Sequence, residues 1–366
     1  MSATALVAMS GGVDSSVAAA LMLEEGYDVV GVTLKQWEGP GGEMPTAGCC
    51  TVGDAVDARS VAARLGVPYY VLDYVDEFRT EVVDRFGAAY LAGLTPNPCI
   101  ECNRRVRFDA LLERTAALGC DVLVTGHHAR VRTGSDGTRH LLAAVDRSKD
   151  QSYVLHMLDQ RTLARVRLPI GEMTKDEVRA RAAELGLRTA SKPDSQDLCF
   201  VGKGDGGYRA FIRRHFPQAA RAGHIVDTSG VEVGEHAGAV DFTVGQRRGL
   251  GLAARSGAAD DGDPRYVVAV DAATATVTVG RKQDLEVGGC RLGDVSFVAG
   301  SPPSDPEVTV KVRYRAEPAA ATVAREDGSW VVRFGAPLHA VAPGQAAVLY
   351  RDDEVLGGGT IVATFR

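Results

Sequence analysis

Two stretches hold residues whose types and spacing can do chemistry. Residues 95–108, TPNPCIECNRRVRF, place Cys99 and Cys102 three apart and follow them with Arg104, Arg105 and Arg107. Such a pair is half of a zinc site, a redox couple, part of a cluster ligand set, or a sulfur-handling site beside a negatively charged substrate. Residues 8–16, AMSGGVDSS, form the second stretch. Gly11 and Gly12 let the backbone approach a ligand closely, and the amides that follow open a helix, where an anion is favoured. Ser10, Ser15 and Ser16 add hydroxyl donors. Asp14 would repel phosphate unless it holds Mg²⁺ or caps the helix. The motif has no lysine, so it is not a Walker A loop.

The elements that must position these residues come in two textures. Through roughly the first 190 residues, strand and helix patterns alternate, which predicts a doubly wound parallel α/β sheet. ALVAM (5–9), DVVGVTL (28–34), VPYYVLD (67–73) and DVLVTG (121–126) read as strands. Residues 14–26, 54–66 and 75–93 read as helices. Thr174 and Glu177 have capping-box spacing ahead of another helix. Beyond about residue 264 the chain is nearly all short alternating runs, EVTVKVRYR among them, which predicts an antiparallel barrel or sandwich. Residues 253–264 read as a surface loop. The expected units are 1–200, a glycine-rich centre at 201–275, and a β-barrel at 276–366.

Composition narrows the class. With 366 residues, 45% hydrophobic and 24% charged, the chain is that of a globular protein of two or three domains. The N-terminus lacks a basic segment ahead of its short apolar run, so no signal peptide is expected. No run reaches the ~18 apolar residues of a membrane span. Seven cysteines without an export signal are expected to be reduced, in the cytoplasm. A net charge of −6 argues against indiscriminate polyanion binding, though local basic patches remain.

SGGVDSS resembles the PP-loop of the ATP pyrophosphatases, the adenine nucleotide alpha hydrolase-like fold. Together with GCCT, TPNPCIECNRRVRF, TGHHAR, KDQSYVL, LPIGEMTKDEVR, SQDLCFVG, GQRRGLG and VRYR, it makes nearly the whole chain similar to the bacterial tRNA-specific 2-thiouridylases. That resemblance implies replacement of the C2 oxygen of the wobble uridine by sulfur, in tRNAs for lysine, glutamate and glutamine. ATP with Mg²⁺ activates the oxygen. ATP contacts are implied at Ala8, Met9, Ser10, Gly11, Gly12, Val13, Asp14 and Ser15, with Leu34 beside adenine and Gly126 a further nucleotide contact. Asp14 is expected in the catalytic set. Cys102 is implied as the nucleophile and Cys199 as the persulfide carrier, the two forming a disulfide during turnover. Asn97, Pro98 and Cys99 would meet the target base. His127, Lys149, Asp150, Gln151, Arg313, Tyr314 and Gln345 would meet tRNA. A cysteine desulfurase or relay protein would supply sulfur to a monomeric enzyme.

The residues leave alternatives. Many relatives carry Asp at the position of Cys99, so Cys99 is a departure. Cys99, Cys102 and Cys199 could instead hold a [4Fe–4S] cluster with one open iron. Zinc would need a fourth ligand, from His127 or His128. Taken alone, Cys199 reads as a small buried residue, His127 as a structural histidine and VRYR as a solvent-facing strand. Cys49 and Cys50 have no assigned role, and Cys120 and Cys290 read as structural residues at element edges. A synthetase acting on a small metabolite, or a non-catalytic RNA-binding or sulfur-carrier module, is the rival function.

Overall fold

The computed structural model describes residues 2–38, 51–194, 198–201, 207–252 and 263–366. Cys49, Cys50, residues 195–197 of the SQDLCFVG block and residues 253–262 of the expected surface loop lie outside the described residues.

The first part of the chain contains β1 (Thr4–Ala8), β2 (Asp28–Lys35), β3 (Tyr69–Asp73) and β4 (Val122–Thr125). The hairpin β5 (Ala129–Thr133) and β6 (Arg139–Ala143) follows, then β7 (Val166–Arg167). The order β3-β2-β1-β4-β7 is parallel throughout, as the alternation predicts. Ala5, Leu6 and Val7 of central β1 are fully buried, which is why that strand is a continuous apolar run. Strand order reverses between β1 and β4, and a doubly wound sheet binds ligands at the carboxyl ends of its strands at such a point.

Helix α1 (Val13–Glu24) leaves the loop after β1, and α2 (Val52–Leu65) starts at a Thr51–Asp54 capping box and ends at left-handed Gly66. The expected Thr174–Glu177 box caps helix Lys175–Glu184. One reading needs correction. Residues 75–93 are not one regular α-helix, because the run widens into a π-helical stretch at Arg79–Asp84. The proline-containing 95–108 segment is helical from Pro98 onward. Asn97 caps it by accepting the Cys99 N–H, and Pro98 takes the first helical position, where its missing N–H costs nothing. The run turns π-helical at Cys102–Ala110 and closes as Leu111–Ala117.

The central sheet holds β8 (Gly223–Asp227), β9 (Glu232–His236), β10 (Tyr266–Asp271) and β11 (Thr276–Gly280), in the order β10-β11-β8-β9. Thr276–Gly280 therefore belongs here, beyond the expected boundary at 275. Next come β12 (Glu286–Phe297), β13 (Glu307–Lys311), β14 (Ala319–Glu326), β15 (Ser329–His339), β16 (Ala346–Arg351) and β17 (Glu354–Phe365). The β12–β17 pairing closes these strands into an antiparallel barrel. Cys290 lies within β12 rather than at an element edge. Arg313 and Tyr314 of VRYR lie past the end of β13 in a turn, not on a strand.

Hairpin β5–β6 extends the barrel sheet from the N-terminal part, with Leu141 opposite Val355 and Leu142 opposite Glu354. One apolar core runs from Leu6, Phe78 and Leu123 to Val348, Tyr350 and Val355, so the parallel sheet and the barrel share an interior.

Candidate functional site

The carboxyl ends of β1, β2 and β4 open into a cleft of about 1320 Å³ that the barrel covers. This exceeds the roughly 300–1,000 Å³ of an ordinary small-ligand pocket. Its floor is the 8–15 loop. Gly11 has φ +72° and is backed so tightly by the Asp54 carbonyl of α2 that no side chain fits. Ser15 Oγ accepts the Ser10 N–H (3.1 Å). Ser16 Oγ donates to the Gly12 carbonyl (2.8 Å) and accepts from Thr189, so Ser16 shapes the loop rather than facing a ligand. Gly126 follows β4, and a Cβ there would stand 2.5 Å from the Ser15 nitrogen and 2.7 Å from the Asp14 carbonyl carbon. Leu34 lines the cleft beside Val32 and Thr33.

The cations that the motif lacks arrive from distant sequence. Lys175 Nζ lies 2.8 Å from both carboxylate oxygens of Asp14 and 2.8 Å from Asp194. His128 Nε2 lies 3.1 Å from Asp14 Oδ1. Burial pushes the Asp14 carboxyl up, but the hydrogen bonds from His128 and Lys175 outweigh it and hold the group below its ordinary range. Asp14 thus neither caps α1, whose N-cap Gly12 has no side-chain bond, nor stands as a bare charge. Asp194 is held down to about 2: burial raises it, and Lys149 and Lys175 outweigh the burial. Lys192 Nζ donates to the Gly11 carbonyl (2.9 Å) and pairs with Asp54 and Asp57 (2.6 Å each), pinning the loop to α2.

The walls carry most of the remaining expected residues. Asn97 and Cys99 line one side. Lys149, Asp150 and Gln151 line another, but their polar groups are engaged internally. Lys149 pairs with Asp194 at 2.8 Å, Gln151 accepts from the His128 N–H at 2.9 Å, and Asp150 accepts from Ala144 and Ser152. Arg313 and Tyr314 form the roof. Burial, then the nearby Asp150 charge, raises the Tyr314 hydroxyl, with Cys99 adding to it, so this turn faces the Cys99 side. Gln345 Nε2 donates to the Thr95 carbonyl (2.6 Å) while the Thr95 N–H donates to Pro343 (2.9 Å), so the barrel grips the root of the thiol helix. His127 is buried, 2.8 Å from Thr125 Oγ1 and packed on Phe108. Burial first, then Arg107, drives its imidazole down to about 3.

Gly11, Pro98, Cys102 and Cys199 do not line the cleft. Cys102 is buried in the shared core, and half-buried Cys199 packs against the same core. Phe200, next to Cys199, sits among Trp37, Phe78, Phe86 and Phe211. Cys290 and Cys120 are buried away from the cleft. Burial pushes Cys290 up to about 12 and also raises Cys120, which makes both poor nucleophiles. Among the described residues, Cys99, Cys102 and Cys199, with or without His127 or His128, do not come together within 4.8 Å as a single-ion site. Lys175, Lys192 and Gln36 were missed as site residues. Lys175 stands in the LPIGEMTKDEVR block and Lys192 in none of the motif blocks, and nothing in their spacing ties them to residue 14 or 11.

The chain matches the family model described as tRNA methyl transferase HUP domain over residues 3–203. It matches the tRNA methyl transferase PRC-barrel domain over 209–281 and the Aminomethyltransferase beta-barrel domain over 287–361. It is 49% identical to the tRNA-specific 2-thiouridylase MnmA of Chloroflexus aurantiacus, over 98% of each chain. To the protein of the same name from Mycolicibacterium paratuberculosis it is 47% identical, over 99% of each chain. With likeness of this degree along its whole length, the chain belongs to the tRNA-specific 2-thiouridylase family.

Proposed function

We propose that this protein is an ATP-dependent tRNA-uridine 2-sulfurtransferase acting on the wobble uridine of lysine, glutamate and glutamine tRNAs. The observation that carries the reading is the convergence of the phosphate loop, the Asn97–Cys99 helix start and the barrel turn Arg313–Tyr314 on one cleft. The family models are described by methyl transfer and the relatives by thiolation. A phosphate loop beside a thiol-bearing helix suits the second chemistry.

ATP lies with its phosphates on the 8–15 loop, its adenine beside Leu34, and Gly126 as a further nucleotide contact. Among the described residues the cleft offers no set of three converging acidic, histidine or cysteine ligands, so Mg²⁺ would enter with the nucleotide's own phosphates. The uridine, held by Asn97, Pro98 and Cys99, attacks the α-phosphorus through its C2 oxygen, and pyrophosphate leaves. The terminal sulfur of a Cys199 persulfide adds to C2 and AMP departs. The Cys102 thiolate then attacks the Cys199 sulfur. A Cys102–Cys199 disulfide forms, and the S–S electron pair moves to the sulfur on C2, giving 2-thiouridine. An external dithiol reduces the disulfide. Because Pro98, Cys102 and Cys199 lie off the cleft, tRNA binding must bring their segments to it.

His127, Lys149, Asp150, Gln151, Arg313, Tyr314 and Gln345 are the proposed tRNA-side residues. The family resemblance supports a cytoplasmic monomer served by a cysteine desulfurase or relay protein. No helix among the described residues is long and apolar enough to cross a membrane. The strand pairing supports three units, with the second junction after Gly280.

The test is 2-thiouridine formation in unmodified tRNA with ATP and a persulfide donor. Activity in wild type and its loss in both Cys102→Ser and Cys199→Ser is expected. Full activity in Cys102→Ser would sink the thiol assignment. Iron assayed on protein purified without oxygen separates the cluster reading. The persulfide route predicts no iron, whereas roughly four irons per chain, lost in Cys99→Ala, would replace it with a three-cysteine cluster.

A further inference from the structure

Gln36 lies just past the end of β2, in no part of the phosphate loop or the thiol helix. It is only 2% exposed, yet it lines the cleft. Its side-chain Nε2 donates to the Cys102 sulfur at 3.5 Å. Cys102 is itself 8% exposed and does not line the cleft, so the Gln36 amide is where the cleft meets this thiol. The neighbour of Gln36 carries a second connection. Trp37 packs against Phe200 with ring centroids 6.2 Å apart and against Phe211 at 5.8 Å, and Phe200 directly follows Cys199. Two consecutive residues therefore touch the surroundings of both thiols.

A buried polar group is costly unless it is bonded, so a glutamine at this position needs a reason. A neutral amide N–H aimed at sulfur favours the thiolate over the thiol, because only the charged form is a strong acceptor. It adds no positive charge that would compete for the phosphates of ATP or tRNA. We propose that Gln36 is a positioning residue for Cys102: its N–H holds the sulfur as a thiolate directed toward the cleft. This deepens the thiolation reading and rests on Cys102 being the reacting thiol.

The readout is the pH profile of Cys102 alkylation by iodoacetamide in the full chain, with Cys102 followed by peptide mass spectrometry. It needs no turnover, so it can fail while wild-type thiolation stands, and the reverse. Gln36→Leu keeps the bulk and removes the donor. The expected result is a half-maximal pH displaced upward and alkylation several-fold slower at pH 7. The kcat for thiolation should fall by a similar factor, with KM for ATP and tRNA unchanged. Gln36→Glu, nearly the same shape, replaces the donor with a charge, should displace the profile further, and decides the matter if the leucine variant does not fold. A wild-type alkylation profile in the folded variants would reduce Gln36 to packing and overturn the proposal. So would an unchanged kcat.

Discussion

Lowering the pH from 7 to 5 should destabilise this protein through two histidines that the fold keeps neutral. His127 and His156 are almost fully buried. Burial, with Arg107 assisting, drives His127 down to about 3. Burial, opposed by the hydrogen bond to the Tyr153 carbonyl and assisted by Arg104, drives His156 down to about 4. Both start from an ordinary value of 6.5. For a base whose folded value is depressed, the unfolded chain takes up the proton first. Stability is full above about pH 6.5 and drains away as pH falls toward the folded value. At pH 5 each histidine has cost about 2 kcal/mol, and the pair about 4 kcal/mol. Asp14 and Asp194 do not blur this window, because both are held low and lose their contribution only as pH falls below their ordinary value of 3.8. Burial raises the Asp109 carboxyl, but its contribution is common to wild type and variants and cancels in their comparison. Urea midpoints at pH 7 and pH 5 measure the effect. His156→Gln, stable or not at pH 7, should lose about 2 kcal/mol less than wild type between the two pH values. His127→Gln should do the same. Equal losses in wild type and both variants would refute the claim that these rings are buried neutral.

Gly126→Ala should spare folding but raise the KM for ATP at least tenfold, because the new methyl meets backbone of the phosphate loop at Ser15 and Asp14 rather than a flexible side chain. Nucleotide titration checks this, and wild-type affinity would contradict it. Gln345→Ala removes the bond to the Thr95 carbonyl. It should cost about 1 kcal/mol of stability and slow thiolation more than it weakens tRNA binding. The opposite ratio would make Gln345 chiefly a tRNA contact.

The phosphate loop could be read because glycines and serines between an apolar run and a helix have few other uses. The capping box at Thr174 and Glu177 could be read because capping is local. What stayed hidden is what the fold brings from a distance. Lys175 was visible as the first residue of a helix, but its reach to Asp14 crosses 161 positions. Hairpin β5–β6 shows no sign in sequence of joining a barrel that begins at Glu286. The TPNP run gives no clear local signal, because prolines break helices in general, whereas proline directly after an asparagine cap starts one. VRYR alternates like a strand, but the ladder ends at Lys311. His127, which alone reads as a structural histidine, is buried beside Phe108 and bonded to Thr125.

The most direct test of the account follows one sulfur atom through a single turnover. The protein is loaded with ³⁵S-persulfide and cleared of donor, and the label is mapped to peptides and to tRNA, with and without ATP. The account predicts label on Cys199 before ATP, transfer to the wobble uridine after ATP with one AMP per sulfur, and a Cys102–Cys199 disulfide left behind. Label that reaches tRNA without ATP, or that never resides on Cys199, would contradict it.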